Sequence, residues 1–231
     1  MEELKQLLSQ LDANSSADDI KTVFSKIAEI LKNTCIIKYN NNEYRILDFE
    51  FYFYNQHHQD ISVHPRKSEA LCWYINEFGG IDLNFKSRID KKEIIEKNGK
   101  LSFKYKMTYD SYYGGILIRQ IQRQSDKVVF DGPWKVAELF RILDATSQSQ
   151  DTPLLSIITR PLEKIEFENK KRHNLLGSKK DITAKVDYNV KEWFTGDSVL
   201  DKNHLRGELD ELSKSILYRY CWKEKTSERT I

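Results

Sequence analysis

Apolar and polar residues alternate along residues 46–64, ILDFEFYFYNQHHQDISVH, and this alternation predicts a β-strand. Successive side chains of a strand point to opposite faces, so the apolar residues share one face. These residues are Leu47, Phe49, Phe51 and Phe53. The other face carries two carboxylates followed by two phenols: Asp48, Glu50, Tyr52 and Tyr54. We expect the apolar face in the core, and the polar face either in solvent or on the floor of a cleft.

Similar patterns predict the other elements. Apolar residues at helical spacing, preceded by the cap residue Ser16, indicate an amphipathic helix that ends near Lys32. CIIKY, the turn NNN and EYRILDFEFYFY form a hairpin that leads into the strand described above. Gly79-Gly80 is expected to form a tight turn between two of the further strands, which are predicted over 71–78, 81–85, 102–108, 115–122 and within LLSIITR. Further helices are expected after Gly132-Pro133, over WKVAELFRIL, and over 205–222.

Length and composition favour one folded domain. A chain of 231 residues with 39% hydrophobic residues can bury a sizeable core, and no linker-like stretch divides it. We therefore expect a single α+β domain over residues 1–231, with a mostly antiparallel β-sheet and flanking helices. Residues 1–15 are expected to be an acidic N-terminal extension, and residues 207–231 to contain a C-terminal helix.

Charge and cysteine content restrict the partners and the compartment. The net charge is only +2, so any affinity for nucleic acid has to come from a local basic patch. Three scattered cysteines without a CxxC spacing indicate a reducing, intracellular setting, with neither a structural zinc site nor a disulfide framework. No apolar segment is long enough to span a bilayer. We expect a soluble, cytoplasmic monomer that does not contact membranes.

Five short motifs follow one another along the chain. Glu50-Phe51-Tyr52 comes first, and Asp60-Ile-Ser-Val-His64 follows it. The other three are CWYINEFGGIDLNF with Asn84, GGILIRQIQ with Arg119, and Gly132-Pro133-Trp134-Lys135. In this order, over about residues 20–206, the chain resembles the alkyladenine (3-methyladenine) DNA glycosylases and looks like a divergent member of that family.

The resemblance implies a function and a more specific fold. The sheet would be rolled or barrel-like. The protein would be a monofunctional DNA N-glycosylase of base-excision repair that needs no cofactor. It would bind double-stranded DNA, flip out a damaged base such as 3-methyladenine, and hydrolyse its N-glycosidic bond. That reaction passes through an oxocarbenium-like sugar, which a carboxylate can stabilise while it activates water.

The resemblance also implies roles for individual residues. Glu50 would be the general base, and Arg119 would hold the water or a phosphate beside it. The flipped base would lie in a pocket formed by Tyr52, His64 and Asn84. The duplex would be contacted by the turn Phe78-Gly79-Gly80 and by Lys135. Charge, rather than the resemblance, adds the basic run KKRHNLLGSKK as a site of phosphate contacts, because it has no acidic residue and contains Lys170, Lys171, Arg172, Lys179 and Lys180.

Several alternatives remain open from the sequence. Glu50 could be a solvated or ion-paired strand residue, and Asp48 on the same predicted face is its rival as general base. His57, His58, Asp60 and His64 match no metal-ligand spacing, and loop histidines are commonly surface residues. The basic run could be a solvated loop. The protein could also be a damaged-base binding module that has lost catalysis, or a hydrolase of modified nucleosides or RNA.

The chain departs from the family pattern at several positions. The gap between Glu50 and Asp60 is longer than usual, and Gln122 and Arg123 stand where the family has an acidic residue and a proline. These departures leave the substrate range open. A site with one carboxylate and no evident general acid favours a base that leaves without protonation, so we expect a preference for cationic alkylated purines.

Overall fold

The structure, a computed structural model, describes residues 1–75, 79–97, 100–140, 155–172, 179–214 and 218–223. In these ranges the fold is α+β with a mostly antiparallel sheet, as predicted. The helices are α1 (Glu2–Gln10), α2 (Ala17–Asn33), α3 (Pro133–Leu139), α4 (Lys179–Trp193) and α5 (Lys202–Lys214). The strands are β1 (Cys35–Tyr39), β2 (Asn42–Asn55), β3 (His58–Gln59), β4 (Trp73–Ile75), β5 (Ile81–Asn84), β6 (Asp90–Lys97), β7 (Lys100–Lys106), β8 (Tyr113–Arg123), β9 (Val129–Asp131), β10 (Ser156–Thr159), β11 (Phe167–Lys170) and β12 (Arg219–Trp222).

Strand β2 is the centre of the main sheet, whose path runs β10-β1-β2-β8-β5-β4. One edge of β2 pairs with β8 from Tyr44 to Tyr54. The other edge is shared by β1 at its start, β12 in its middle and β3 at its end. Every residue from Tyr44 to Asn55 is buried, so the polar face of β2 is not a solvated sheet face. The register with β8 shifts around Asp48, which marks a bulge in the middle of this strand.

Helix α2 covers the apolar face of β2. A capping box between Ser16 and Asp19 fixes its start. Its Phe24 ring stacks on Phe51, with ring centroids 4.3 Å apart. The N-terminal residues join the same core, because Leu4 and Leu8 of α1 are fully buried in it. Residues 1–15 are therefore packed against the domain rather than extended away from it.

The predicted C-terminal helix is wrong in its second half. Helix α5 ends at Lys214, and residues 219–222 form β12, which pairs with β2 and β11. Tyr220 stacks on Phe49 at 5.3 Å, while its neighbour Arg219 reaches Asp48 on the other face of the sheet. This alternation suits a strand, and the middle of β2 provides the backbone partners that favour it over a helix.

Most other predicted elements are present. The predicted helix from Ser16 corresponds to α2, and the hairpin corresponds to β1 and β2. The strands predicted over 81–85, 102–108 and 115–122 correspond to β5, β7 and β8, and α3 begins after Gly132. The strand predicted over 71–78 corresponds to the shorter β4, while residues 76–78 lie outside the described ranges. Strand pairing among the described residues does not join β10 to β4 at the two ends of the sheet path, so the barrel-like shape stays a prediction. Within the same ranges, no helix has the length and apolarity required to cross a membrane.

Candidate functional site

A pocket of about 660 Å³ opens on the face of β2 opposite α2. This volume falls within the range of roughly 300–1,000 Å³ that is usual for ligand sites. Its walls come from β2, β5, β8, the segment after β3, the start of α3 and one face of α4. The lining includes Tyr52, His64, Arg66, Asp82, Arg119, Lys185, Tyr188 and Trp193. Four of the predicted site residues, Tyr52, His64, Gly80 and Arg119, are thus brought together.

Glu50 lies directly beneath this pocket and has no exposed surface. The Tyr52 hydroxyl donates to Glu50 Oε2 at 2.6 Å, and Arg119 Nη1 donates to the same oxygen at 3.4 Å. Arg219 Nε lies 3.8 Å from the other oxygen, Oε1. A buried carboxylate needs this kind of compensation by donors and cations. Glu50 is therefore held one layer below the pocket, by two side chains that line it.

Asp48 occupies a different environment from Glu50. Arg219 Nε donates to both of its carboxylate oxygens, at 3.0 and 3.1 Å. Burial raises the pKa of Asp48, and the hydrogen bond and charge of Arg219 oppose this shift. Neither carboxylate is part of the pocket lining, but Glu50 is contacted by the lining residues Tyr52 and Arg119, whereas both oxygens of Asp48 are engaged by Arg219, which does not line the pocket. Asp48 therefore serves as the partner of Arg219 and is a poor candidate for the general base.

Tyr52 and His64, two aromatic walls of the pocket, both have pKa values that burial shifts. Burial, and next to it the charge of Glu50, raises the pKa of Tyr52 well above its usual value, so its phenol remains a donor to Glu50. The ring of His64 stacks with Tyr74 and meets Trp193 edge-on at 4.9 Å. Burial lowers the pKa of His64 to about 4, and the nearby charge of Arg66 acts in the same direction. At neutral pH His64 is therefore an uncharged wall.

Arg66 is a pocket residue that the sequence patterns did not reveal. Its Nη2 lies 2.9 Å from Asp82 Oδ2, its Nε donates to Asn84 Oδ1 at 2.7 Å, and its guanidinium lies 4.3 Å from the Tyr74 ring centroid. Gly115 of β8 makes room for it, because a Cβ there would lie 1.9 Å from Arg66 Nη2. The only sequence signal was a basic residue two positions after His64.

Asn84, which was predicted to bind the base, lies behind Arg66 and outside the pocket lining. Its Oδ1 accepts from Arg66, and its Nδ2 donates to Ser68 Oγ at 2.7 Å. It is almost fully buried and is absent from the pocket lining. Asn84 therefore orients Arg66, and Arg66 rather than Asn84 faces the pocket.

The residues of the basic run lie in different environments in the structure. Arg172 is buried and forms an ion pair with Asp60 at 2.5 Å, and it also donates to the carbonyl of Phe51 at 3.2 Å. This burial removes Arg172 from the predicted DNA contacts. Lys170 pairs with Glu168, whereas Lys171 and Lys180 are exposed. Lys179 begins α4, and residues 173–178 lie outside the described ranges.

One exposed aromatic residue, Trp134, packs on Gly79 of the predicted turn. Phe78 lies outside the described ranges, but Gly79 adopts a left-handed φ of 80°. The Trp134 ring packs so closely over Gly79 that a Cβ there would lie 1.9 Å from it. Trp134 is 56% exposed and follows Pro133, which lines the pocket; Lys135 beside it is exposed. The buried Gly80 also contributes to the lining.

Helix α4 contributes pocket residues that share one helical face. Lys185, Tyr188, Asn189 and Trp193 occur at helical spacing within AKVDYNVKEW, and all four line the pocket. The spacing was visible in the sequence, but nothing local showed which face would meet the sheet. Tyr188 is 57% exposed, so it forms a second aromatic rim residue.

His58 and Asp60, at β3 and directly after it, are engaged by other groups of the protein. His58 is buried between the carbonyl of Phe53 at 2.7 Å and the Tyr218 hydroxyl at 3.2 Å. Asp60 pairs with Arg172. Among the residues that the structure describes, no three His, Cys, Asp or Glu side chains are grouped to hold a metal ion.

Comparisons with known proteins give little further information. No family model matches the chain, and no solved structure matches it. The chain is similar to the uncharacterized protein L759 of Acanthamoeba polyphaga mimivirus, with 30% identity over 132 residues. This similarity covers 55% of the chain, which spans 59% of the length of the mimivirus protein. Because that relative is itself uncharacterized, the similarity transfers no function to this chain.

Proposed function

We propose that this protein is a DNA glycosylase that hydrolyses the N-glycosidic bond of a flipped-out, alkylated purine. The observation that carries the proposal is Glu50, which is buried beneath the pocket and held by Tyr52 and Arg119. Loss of the base leaves positive charge on the sugar, and a carboxylate at this depth can stabilise it and take a proton from the attacking water. The resemblance in motif order supports the same assignment.

The pocket offers the contacts that a flipped base requires. Tyr52, His64 and Trp193 supply aromatic walls, and a base taken out of the duplex is recognised by stacking and by hydrogen bonds to its edge. Arg119 reaches from the pocket lining to Glu50, and its Nε has no partner among the described residues. That donor is suited to a water molecule or to a sugar-phosphate oxygen. Water would reach Glu50 when the Tyr52 hydroxyl or Arg119 shifts.

The rim of the pocket suits double-stranded DNA as the partner. Trp134 and Tyr188 are exposed aromatic residues, and aromatic side chains can support unstacked bases. Lys135 lies next to Trp134, and Lys180 is exposed on the helix that carries Tyr188. These lysines are suited to contact phosphates on either side of the flipped nucleotide. Acting on one nucleotide of a duplex needs no second copy of the chain, so we propose a monomer.

The neutral state of His64 affects which damaged base the protein would remove. With its pKa near 4, His64 does not donate a proton to a leaving base at neutral pH. Alkylated purines such as 3-methyladenine already carry positive charge and leave without protonation. This favours cationic alkylated purines over neutral lesions such as hypoxanthine.

The proposal is tested with the matched variants Glu50→Gln and Asp48→Asn. Free base released from methylated duplex DNA is measured under single-turnover conditions, beside a duplex that contains hypoxanthine. We expect Glu50→Gln to lower base release by about 10²–10⁴-fold, the usual contribution of general acid–base catalysis, with DNA affinity retained. Asp48→Asn should lose much less. Equal losses in both variants, at equal thermal stability, would remove Glu50 from the role.

A second function is favoured by one observation. Glu50 has no exposed surface, because the Tyr52 hydroxyl and two arginines cover it. A module that binds damaged bases without catalysis would have such a closed floor. It would bind lesion-containing duplex more tightly than undamaged duplex and release no base, and the wild-type protein in the same assay distinguishes the two functions.

A further inference from the structure

Lys185 places a primary amine in the pocket that the proposed reaction uses. It is a partly buried residue of α4 and the only lysine among the described residues that line the pocket. Tyr52 and Arg119, the two side chains that hold Glu50, line the same pocket. A substrate bound over Tyr52 and Arg119 is therefore in the same enclosure as this amine.

The surroundings of Lys185 favour a reactive amine. Burial lowers the pKa of the Lys185 ammonium, Arg172 acts in the same direction, and Asp60 opposes both. A buried lysine with a lowered pKa is the type that proteins use to form Schiff bases with carbonyl compounds. Lys191, on the same helix, is exposed and is absent from the pocket lining, so it offers a matched control.

The product of the proposed glycosylase is a carbonyl compound. Hydrolysis of the N-glycosidic bond leaves a deoxyribose whose C1′ is in equilibrium with an open-chain aldehyde. That C1′ is the atom that the pocket would hold nearest to its catalytic residues. The amine and the aldehyde would thus be enclosed together after each base is released.

We propose that Lys185 gives the protein a second activity, the cleavage of abasic DNA through a covalent imine. The neutral amine adds to C1′ of the aldehyde, and the carbinolamine takes up a proton from solvent and loses water to form a protonated imine. A proton leaves C2′ to solvent, the C2′–H electrons form a C2′=C3′ double bond, and the C3′–O bond breaks with the phosphate as leaving group. Water then hydrolyses the imine and restores the amine, so no oxidant or reductant is consumed.

This inference rests on the proposed function only for the origin of the abasic site, and it departs from the monofunctional activity expected from the resemblance. It is tested on duplex DNA that already contains an abasic site, so that no base has to be removed. Borohydride reduces an imine to a stable secondary amine, which joins protein to DNA. We expect the wild-type protein to form this adduct and, without borohydride, to nick the strand at the abasic site. Peptide mass spectrometry should map the adduct to Lys185.

The variants separate Lys185 from other amines. Lys185→Arg keeps the positive charge but cannot form the imine, so it should lose both the adduct and the nicking, whereas Lys191→Ala should keep both. The absence of an adduct in the wild-type protein, or its mapping to another lysine or to the N-terminus, overturns the inference. Adduct formation without base release from methylated DNA would refute the glycosylase alone, and base release without an adduct would refute the lyase alone. Comparable thermal unfolding of all variants confirms that each is folded.

Discussion

At the scale of single residues, the polar face of β2 separates two carboxylates that look equivalent in the sequence. Asp48 is engaged through both oxygens by Arg219, whereas Glu50 is reached by Tyr52 and Arg119 from the pocket. Strand alternation and the resemblance together singled out Glu50, Tyr52, His64 and Arg119. They could not foresee the burial of Asn84 and Arg172, because both depend on partners far along the chain or in another loop.

The ion pair between Arg172 and Asp60 should be important for stability. Removing one partner leaves an uncompensated buried charge, which typically costs about 3–5 kcal/mol. We expect Arg172→Met to lower the free energy of unfolding by that amount in urea denaturation. The double variant with Asp60→Asn should recover part of the loss, because no unpaired charge remains. An Arg172→Met protein as stable as the wild type would contradict the buried pair.

Two buried histidines should make the stability depend on pH. Burial is the largest cause that lowers the pKa of His58, and it lowers that of His64 to about 4. The unfolded chain then binds more protons than the folded one between about pH 4 and the ordinary histidine pKa of about 6.5, so stability rises with pH in that window. We expect the free energy of unfolding to fall as the pH is lowered from 7 to 5. His64→Asn should weaken this dependence, and an equally steep dependence in that variant would contradict the contribution of His64.

At the scale of elements, the sequence patterns predicted where strands and helices lie along the chain, but not which elements pack against one another. The alternation in β2 was visible, but the sequence did not show that α4 would face its polar side across the pocket, or that β12 would pair with its second edge. RYCW lies within a region whose sequence pattern is helical, and it is a strand because it pairs with both β2 and β11. The helical face of α4 that carries Lys185 and Trp193 was likewise regular in sequence, but its position in the pocket lining depends on packing between elements distant in the chain.

Close packing between β8 and Arg66 gives a prediction at this scale. A Cβ on Gly115 would lie 1.9 Å from Arg66 Nη2, so Gly115→Ala has to displace Arg66 from Asp82 and Asn84. We expect a destabilisation of about 1–3 kcal/mol, as is usual for overpacking, measured by urea unfolding. Gly207→Ala in α5 is the control. No heavy atom lies within 4 Å of a Cβ there, and alanine in a helix is favoured by roughly 0.5–1 kcal/mol. Similar effects at both positions would show that Asp82 and Asn84 do not hold Arg66 against β8.

At the scale of the whole molecule, a net charge of +2 makes any DNA affinity depend on where the lysines lie. Lys171 and Lys180 are exposed, whereas Lys21 and Lys26 are exposed on α2, which packs on the other face of β2. The slope of log affinity against log salt is negative, and each phosphate that is no longer neutralised should make it less steep by about 0.9. We expect the alanine pair at Lys171 and Lys180 to flatten this slope, and the pair at Lys21 and Lys26 to leave it unchanged. Equal slopes in the two double variants would exclude the first pair as phosphate-binding residues.

The pairing of β12 with β2 has a consequence for the order of events on the ribosome. Asp48 and its partner Arg219 are separated by 171 residues, so a nascent chain that already contains β1, β2 and β8 still lacks that cation. Domains are synthesised from the N-terminus at about 5–20 residues per second, and contacts this distant in sequence form late. The floor beneath the pocket therefore reaches charge balance only after Arg219 has been translated, so the pocket is completed long after the strands that form its base have been made.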